Sequence, residues 1–129
     1  PQAVTAVMLL VLDLLWRGYR VVLSTHSPHV LTMLWMMRQL KEQRARWQLV
    51  CDAFDVERAP MRSVAESAIG KDFRAHLMQF DNDGKVTSVD ISELDPSAED
   101  ERIAGWGGLT EFSSRFGDAV RMAVNESES

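Results

Sequence analysis

The sequence predicts an α/β protein made of a helix, a parallel strand, further helices, an antiparallel hairpin and a last helix. Three observations predict this fold class. An aliphatic run ends in a polar triplet that leads directly into a helix start, a helix apolar on nearly every face precedes that run, and two strand-like runs flank a turn that contains glycine. At 129 residues, of which 46% are hydrophobic and 26% charged, the chain has the composition of an ordinary globular domain.

The first element is predicted as a helix over residues 1–17. It ends before Gly18, a residue type that favours the position just after a helix. Its apolar residues cover nearly every face, which is typical of a helix buried on several sides. The remaining chain is short for surrounding such a helix, so we expect polypeptide outside this sequence to cover part of it. Asp13 interrupts the apolar surface and can pair with Arg17, four residues on.

A strand is predicted over residues 19–24. The run is aliphatic without alternation, as in an inner parallel strand that is covered on both faces. A helix followed by a strand is half of a right-handed crossover, whose preceding strand is expected before Pro1. Ser27 and Pro28 then have the form of a helix start, with a capping hydroxyl and a proline at the first helical position. The second helix is predicted over residues 28–46.

Two shorter helices are predicted next. Residues 47–56 are ambiguous between helix and strand, and their apolar spacing of about 3.6 residues favours a helix. Ala59 and Pro60 are expected to break the chain, and a helix over residues 61–69 is expected to end at Gly70.

An antiparallel hairpin is the clearest local prediction in the second half of the chain. Strand-like runs at residues 73–80 and 85–91 flank the sequence Asp-Asn-Asp-Gly, with Gly84 where a positive φ is required. The acidic, turn-rich residues 92–108 follow, and residues 109–124 are predicted as an amphipathic helix with Thr110 as its cap.

Charge and cysteine content narrow the classes of function. The net charge is −5, and it is uneven: residues 1–50 carry six Lys or Arg against two Asp or Glu, whereas the remainder is strongly acidic. This balance argues against a general nucleic-acid surface. The single cysteine, Cys51, lies among apolar neighbours and is predicted to be an inert core thiol in a cytoplasmic protein.

The polar residues after the predicted strand form the candidate site. His26 is expected at the carboxyl end of the strand and beside a helix amino terminus, a place where α/β proteins bind anions. The hydroxyls of Ser24, Thr25 and Ser27 can hold the turn or contact the same ligand. We therefore predict that His26 faces a phosphate. The simpler interpretation is a capped strand–helix turn with a satisfied histidine.

The sequence Ser-Thr-His-Ser-Pro at residues 24–28 resembles the switch-histidine loop of ABC-type ATPases, in the branch that comprises RecF, SMC and OLD-like proteins and their AAA-labelled relatives. The preceding helix and aliphatic strand follow in the order that this family has, so the resemblance covers residues 1–37. The hairpin and residues 90–96 and 105–109 resemble the carboxyl ends of some such bacterial ATPases.

The resemblance implies a fold, a site and partners. The chain is expected to be the carboxyl-terminal portion of a P-loop ABC-type ATPase head, with residues 1–46 ending the ATPase core and residues 47–129 adding helices and the hairpin. It implies that His26 contacts the γ-phosphate of ATP, and that ATP and Mg²⁺ are bound mainly by residues outside this chain. The implied partners are the upstream half of the head and a second head, in a homodimer or higher oligomer. DNA or a nuclease or effector protein is compatible with it, and no membrane is implied.

Several motifs of such a head do not occur in this sequence. It contains no Gly-x-x-x-x-Gly-Lys-Ser/Thr phosphate loop, no ABC signature and no aliphatic strand that ends in Asp-Glu. The chain alone is therefore not expected to hydrolyse ATP. Two alternatives remain: a protein-interaction module without nucleotide chemistry, and a metal-dependent hydrolase that uses His26 and His29.

Overall fold

The computed structural model describes residues 2–95 and 97–108. They form five helices and two strands: α1 Gln2–Trp16, α2 Pro28–Glu42, α3 Gln48–Phe54, α4 Arg58–Gly70, β1 His76–Phe80, β2 Val86–Asp90 and α5 Glu101–Ala104. The chain divides into two compact units, Pro1–Phe73 and Arg74–Ser129. The boundary expected after residue 46 lies inside the first unit, because α3 and α4 pack with α1 and α2.

The first unit is a group of four helices around one apolar core. Helix α4 contacts each of the other three helices, and α1 also contacts α2. Buried side chains from all four helices form the core: Met8, Leu12, Val30, Met37, Val50, Cys51, Phe54, Val64, Ala65 and Ala68. Burial of this apolar surface is the main source of stability for the unit.

Helix α1 ends where the sequence predicts. Gly18 has a φ of 91° and donates to the Leu15 carbonyl, while Tyr19 donates to the Leu14 carbonyl, both at 3.0 Å. This pair of bonds is a Schellman motif, which requires the positive φ that glycine adopts without strain. The predicted pair of Asp13 and Arg17 forms at 2.8 Å.

Only one side of α1 is buried within the described part of the chain. Met8 is 2% exposed on that side, whereas Val7 is 46% and Leu10 57% exposed on the other. The described residues therefore leave part of α1 uncovered, because α2 and α4 reach only one face, as the sequence predicts for a chain too short to surround this helix. No described helix combines the length and the apolar character needed to cross a bilayer.

The strand predicted over residues 19–24 is not a strand in this structure. The segment lacks helical structure and pairs with no strand, since the described sheet contains β1 and β2 alone. A strand depends on hydrogen bonds to a neighbour, and the local aliphatic pattern cannot supply that neighbour. Val22 is 99% exposed as a result. We call residues 19–24 the unpaired segment.

Three helix boundaries differ from the prediction for local reasons. Helix α2 stops at Glu42, because Arg44 adopts a φ of 50° and ends the helix as glycine would. Asp55, with a φ of 53°, ends α3 in the same way. Helix α4 starts at Arg58 rather than at residue 61, since Pro60 lies in the first turn, where its missing N–H costs no helical hydrogen bond.

The predicted hairpin is confirmed. Strands β1 and β2 are antiparallel, with Phe80 opposite Val86 and His76 opposite Asp90. The carboxylate of Asp81 accepts hydrogen bonds from the N–H groups of residues 83 and 85, at 2.9 and 2.8 Å, and Gly84 has a φ of 76°. The turn sequence therefore closes the hairpin as an Asx-type turn followed by a left-handed glycine.

A small cluster follows the hairpin in the second unit. Trp106 is 9% exposed, and its indole N–H donates to the Leu94 carbonyl at 3.0 Å. This contact anchors Trp106 in the cluster. Gly107, with a φ of 70°, lies so close to Leu77 that an added Cβ would come within 2.5 Å of a methyl carbon. The predicted helix over residues 109–124 lies outside the described residues.

Candidate functional site

The candidate site is residues 24–28, here called the histidine loop. It joins the unpaired segment to α2, whose first residue is Pro28. Ser27 precedes the helix with φ −85° and ψ 119°, the extended conformation that a residue before proline prefers. Proline at the first helical position is thus confirmed. Val30 and Leu31 in the first turn are 6% and 8% exposed, and Val30 belongs to the core of the first unit.

The predicted capping role of Ser27 is wrong. Its hydroxyl makes no capping hydrogen bond; instead, its N–H donates to Oγ1 of Thr25 at 3.0 Å. Thr25 therefore holds the turn. The Ser27 hydroxyl makes no hydrogen bond in it. The sequence alone does not decide between the two hydroxyls, because serine and threonine hydroxyls both accept from nearby backbone N–H groups.

The histidine of the loop is accessible. His26 and Ser24 are exposed, whereas Thr25 and Ser27 are half-buried. Within residues 2–95 and 97–108, neither the His26 imidazole nor the hydroxyls of Ser24 and Ser27 have a hydrogen-bond or ion-pair partner. The interpretation of His26 as a structural histidine requires a hydrogen-bond partner for its imidazole, and the described part of the chain supplies none.

The structure brings the four predicted site residues together only as consecutive members of one loop. No described side chain from a distant part of the sequence forms a hydrogen bond or an ion pair with them. His29 is also exposed, on the first turn of α2. Among the described residues, no group of three or more His, Cys, Asp or Glu side chains is placed to hold a metal ion. A metal site would need further ligands beside His26 and His29.

The only buried nucleophile of the described residues is unsuited to chemistry. Cys51 is 1% exposed, and burial, followed by the charge of Asp52, raises the pKa of its thiol. A thiol held protonated in an apolar core is inert, as predicted. The neighbouring cavity, of about 10 Å³, is lined by apolar side chains that include Leu12 and Phe54. That volume is comparable to a single water molecule.

The sequence did not identify one polar cluster on the hairpin. The Ser88 hydroxyl lies 3.4 Å from Nδ1 of His76, and Asp90 is opposite His76 on the same sheet face. Hydrogen bonds from Ser92, followed by the charges of His76 and Arg74, hold the pKa of Asp90 below its ordinary value of 3.8. Side chains alternate between the two faces of a strand, which places His76, Ser88 and Asp90 on one face. This alternation is the sequence signal that could have identified the cluster.

This cluster does not have the arrangement of a nucleophile activated by a base. Ser88, His76 and Asp90 are all exposed on an open two-stranded sheet, where water competes for each hydrogen bond. Catalytic sets of this type act in concave sites that exclude water. The histidine loop therefore remains the candidate site.

No protein-family model matches this chain, and neither the curated proteins nor the solved structures contain a match to it.

Proposed function

We propose that this chain forms the carboxyl-terminal part of an ABC-type ATPase head, and that His26 contacts the γ-phosphate of ATP bound there. The observation that carries the proposal is the state of the histidine loop. His26 is exposed without a partner among the described residues, directly before the amino terminus of α2. A histidine in this place, next to free hydroxyls, suits a phosphate.

The imidazole can serve phosphoryl transfer in two ways. One ring nitrogen donates to a γ-phosphate oxygen, and the other accepts from the attacking water. Catalysis of this reaction depends on positioning and on stabilisation of charge, so one well-placed donor has a large effect. Ser24 and Ser27 add hydroxyl donors, and Thr25 fixes the turn through its bond to the Ser27 N–H.

The other parts of the site would come from polypeptide outside these 129 residues. The sequence has no phosphate loop, signature motif or Asp-Glu pair, so ATP and Mg²⁺ would be held mainly elsewhere. The apolar surface of the first unit supports this. Val22 and Leu10 are 99% and 57% exposed, as expected of residues that the sheet and helices of a complete head would cover.

A second candidate is a protein-interaction module without nucleotide chemistry. One observation favours it: Met78, Phe80 and Val86 lie on the same face of the hairpin and are 66%, 76% and 60% exposed. Such a patch of large apolar side chains is typical of a contact surface. One chain could have both functions. They differ in the role of His26, which contacts ATP in the first and has no assigned role in the second.

The test is reconstitution. The coding sequence directly before Pro1 should encode an aliphatic run followed by Asp-Glu-Pro-Glu and Leu-His, and the joined polypeptide should bind and hydrolyse ATP, whereas the 129-residue chain alone should not. An unrelated preceding sequence, together with a joined polypeptide that does not bind ATP, would overturn the ATPase proposal and favour the interaction module.

A further inference from the structure

Strand β1 has an outer edge to which no other strand of the described sheet is bonded, because that sheet contains β1 and β2 alone. Two hydrogen bonds show which backbone groups the hairpin uses. The Ile91 N–H donates to the Ala75 carbonyl at 2.9 Å, and the Asp81 N–H donates to the Lys85 carbonyl at 2.8 Å. Hydrogen-bonded pairs alternate with non-hydrogen-bonded pairs in an antiparallel ladder, so the odd-numbered residues of β1 bond to β2. The N–H and C=O groups of its even-numbered residues therefore point to the outer edge.

The same even-numbered residues carry exposed apolar side chains, those of Met78 and Phe80. Free backbone donors and acceptors beside apolar side chains are a template for another strand. Edges that do not pair are usually protected by a charged residue or a proline. The sequence of β1, His-Leu-Met-Gln-Phe, contains no Asp, Glu, Lys, Arg or Pro, whereas Asp90 lies at the outer edge of β2. The edge of β1 is therefore the less protected of the two.

We propose that the outer edge of β1 binds an extended, basic segment of another protein as a third strand, with apolar side chains of that segment beside Met78 and Phe80. Strand addition of this kind takes its affinity from main-chain hydrogen bonds and its specificity from alternate side chains. The edge is preformed, since Leu77 on the opposite face lies against Gly107 and the carboxylate of Asp81 closes the turn. The inference rests on the second candidate function, the interaction module, and does not depend on His26.

Charge favours a basic partner over the other occupants of this edge. Residues 74–95 and 97–108 carry eight Asp or Glu against three Lys or Arg, and one of those bases, Arg102, is paired with Asp100. Residues 109–129 contain four acidic residues against two basic ones. A second copy or the carboxyl-terminal residues of the chain would therefore bring like charge to the edge, whereas a basic segment brings opposite charge.

Amide hydrogen exchange of the 129-residue chain, followed by NMR, tests the proposal with a synthetic peptide in which lysine alternates with valine. In the chain alone, the amides of residues 77 and 79 should exchange slowly and those of residues 78 and 80 rapidly. Saturating peptide should slow exchange at residues 78 and 80, because their N–H groups then bond to the third strand. Binding should weaken as salt is added, and a peptide with glutamate in place of lysine should not bind.

Two variants of β1 and one of β2 locate the edge. Met78→Pro removes an outward N–H and no bond to β2, so it should weaken peptide binding by at least about tenfold. Phe80→Lys should weaken it also, because a cation on the edge repels the basic peptide. The matched control is Ser88→Pro, directly opposite Met78, which removes an N–H from the other edge and should bind as the wild-type chain does. Slow exchange at residues 77 and 79 shows that a variant keeps the hairpin.

Several outcomes would overturn the proposal. They are slow exchange at residues 78 and 80 in the chain alone, failure of the lysine peptide to bind, equal binding of the glutamate peptide, unchanged binding in a β1 variant that keeps the hairpin, and loss of binding in Ser88→Pro with its hairpin intact. Binding that shifts the Met78 and Phe80 resonances but slows no edge amide would also overturn it, while leaving the interaction module in place. ATP hydrolysis is not measured, so each outcome leaves the ATPase proposal untouched.

Discussion

Replacement of His26 by alanine in the reconstituted head is expected to lower kcat for ATP hydrolysis by about 10²–10³-fold, the loss typical of one preorganised donor at a developing negative charge. The reason is the position of His26 before the amino terminus of α2, where it is exposed and free of described partners. KM for ATP should change little, because most of the binding contacts lie outside this chain. The measurement is steady-state ATP hydrolysis at saturating Mg²⁺ and ATP.

His29 provides the matched control for this variant. It is the same residue type, also exposed, and only three positions further along, on the first turn of α2. His29→Ala should retain activity within a few-fold of the parent, because the proposed contact is assigned to His26 alone. If His26→Ala also stays within a few-fold, or if both variants lose activity equally, the role assigned to His26 is wrong.

Replacement of Trp106 by alanine is expected to destabilise the second unit by about 3–5 kcal/mol, the range for truncation of a buried tryptophan. The side chain is 9% exposed, and its indole N–H donates to the carbonyl of Leu94, which is itself 0% exposed. The variant therefore leaves both a cavity and an unpaired buried carbonyl. Hydrogen exchange of the amides of β1 and β2 measures the loss.

Two further variants separate the contributions of volume and hydrogen bonding. Trp106→Phe keeps an aromatic ring but lacks the N–H, so it should cost about 1–3 kcal/mol for the unpaired Leu94 carbonyl. Trp16→Ala removes a tryptophan that is 46% exposed in the first unit, and it should leave exchange in β1 and β2 unchanged. Exchange in Trp106→Ala equal to that of the parent would show that Trp106 does not anchor this unit.

Features that depend on local sequence could be predicted. Gly18 ends α1 through a positive φ, and Asp81 with Gly84 closes the hairpin, because each needs only the residues beside it in the chain. The ends of α2 and α3 could not be predicted in this way. They depend on Arg44 and Asp55 in left-handed conformations, which are uncommon for residues other than glycine.

Features that depend on distant partners could not be predicted from the pattern. The aliphatic residues 19–24 have strand character, yet they pair with nothing in the described structure, because a strand requires a neighbour that a local pattern does not specify. The local sequence pattern likewise does not specify every hydrogen bond of the candidate site. The sequence located the histidine loop and its proline and included Thr25 among the hydroxyls that can hold the turn, but it assigned Ser27 a capping bond that does not form.

The most direct test of the central claim observes His26 itself while nucleotide is bound. In the reconstituted head with ¹⁵N-labelled histidine, the His26 imidazole resonances should shift when a non-hydrolysable ATP analogue with Mg²⁺ replaces ADP with Mg²⁺, while those of His29 should not. That difference isolates the γ-phosphate, which only the analogue carries. Identical His26 resonances in the two nucleotide states would contradict the account, because a histidine that contacts the γ-phosphate cannot have the same surroundings in its absence.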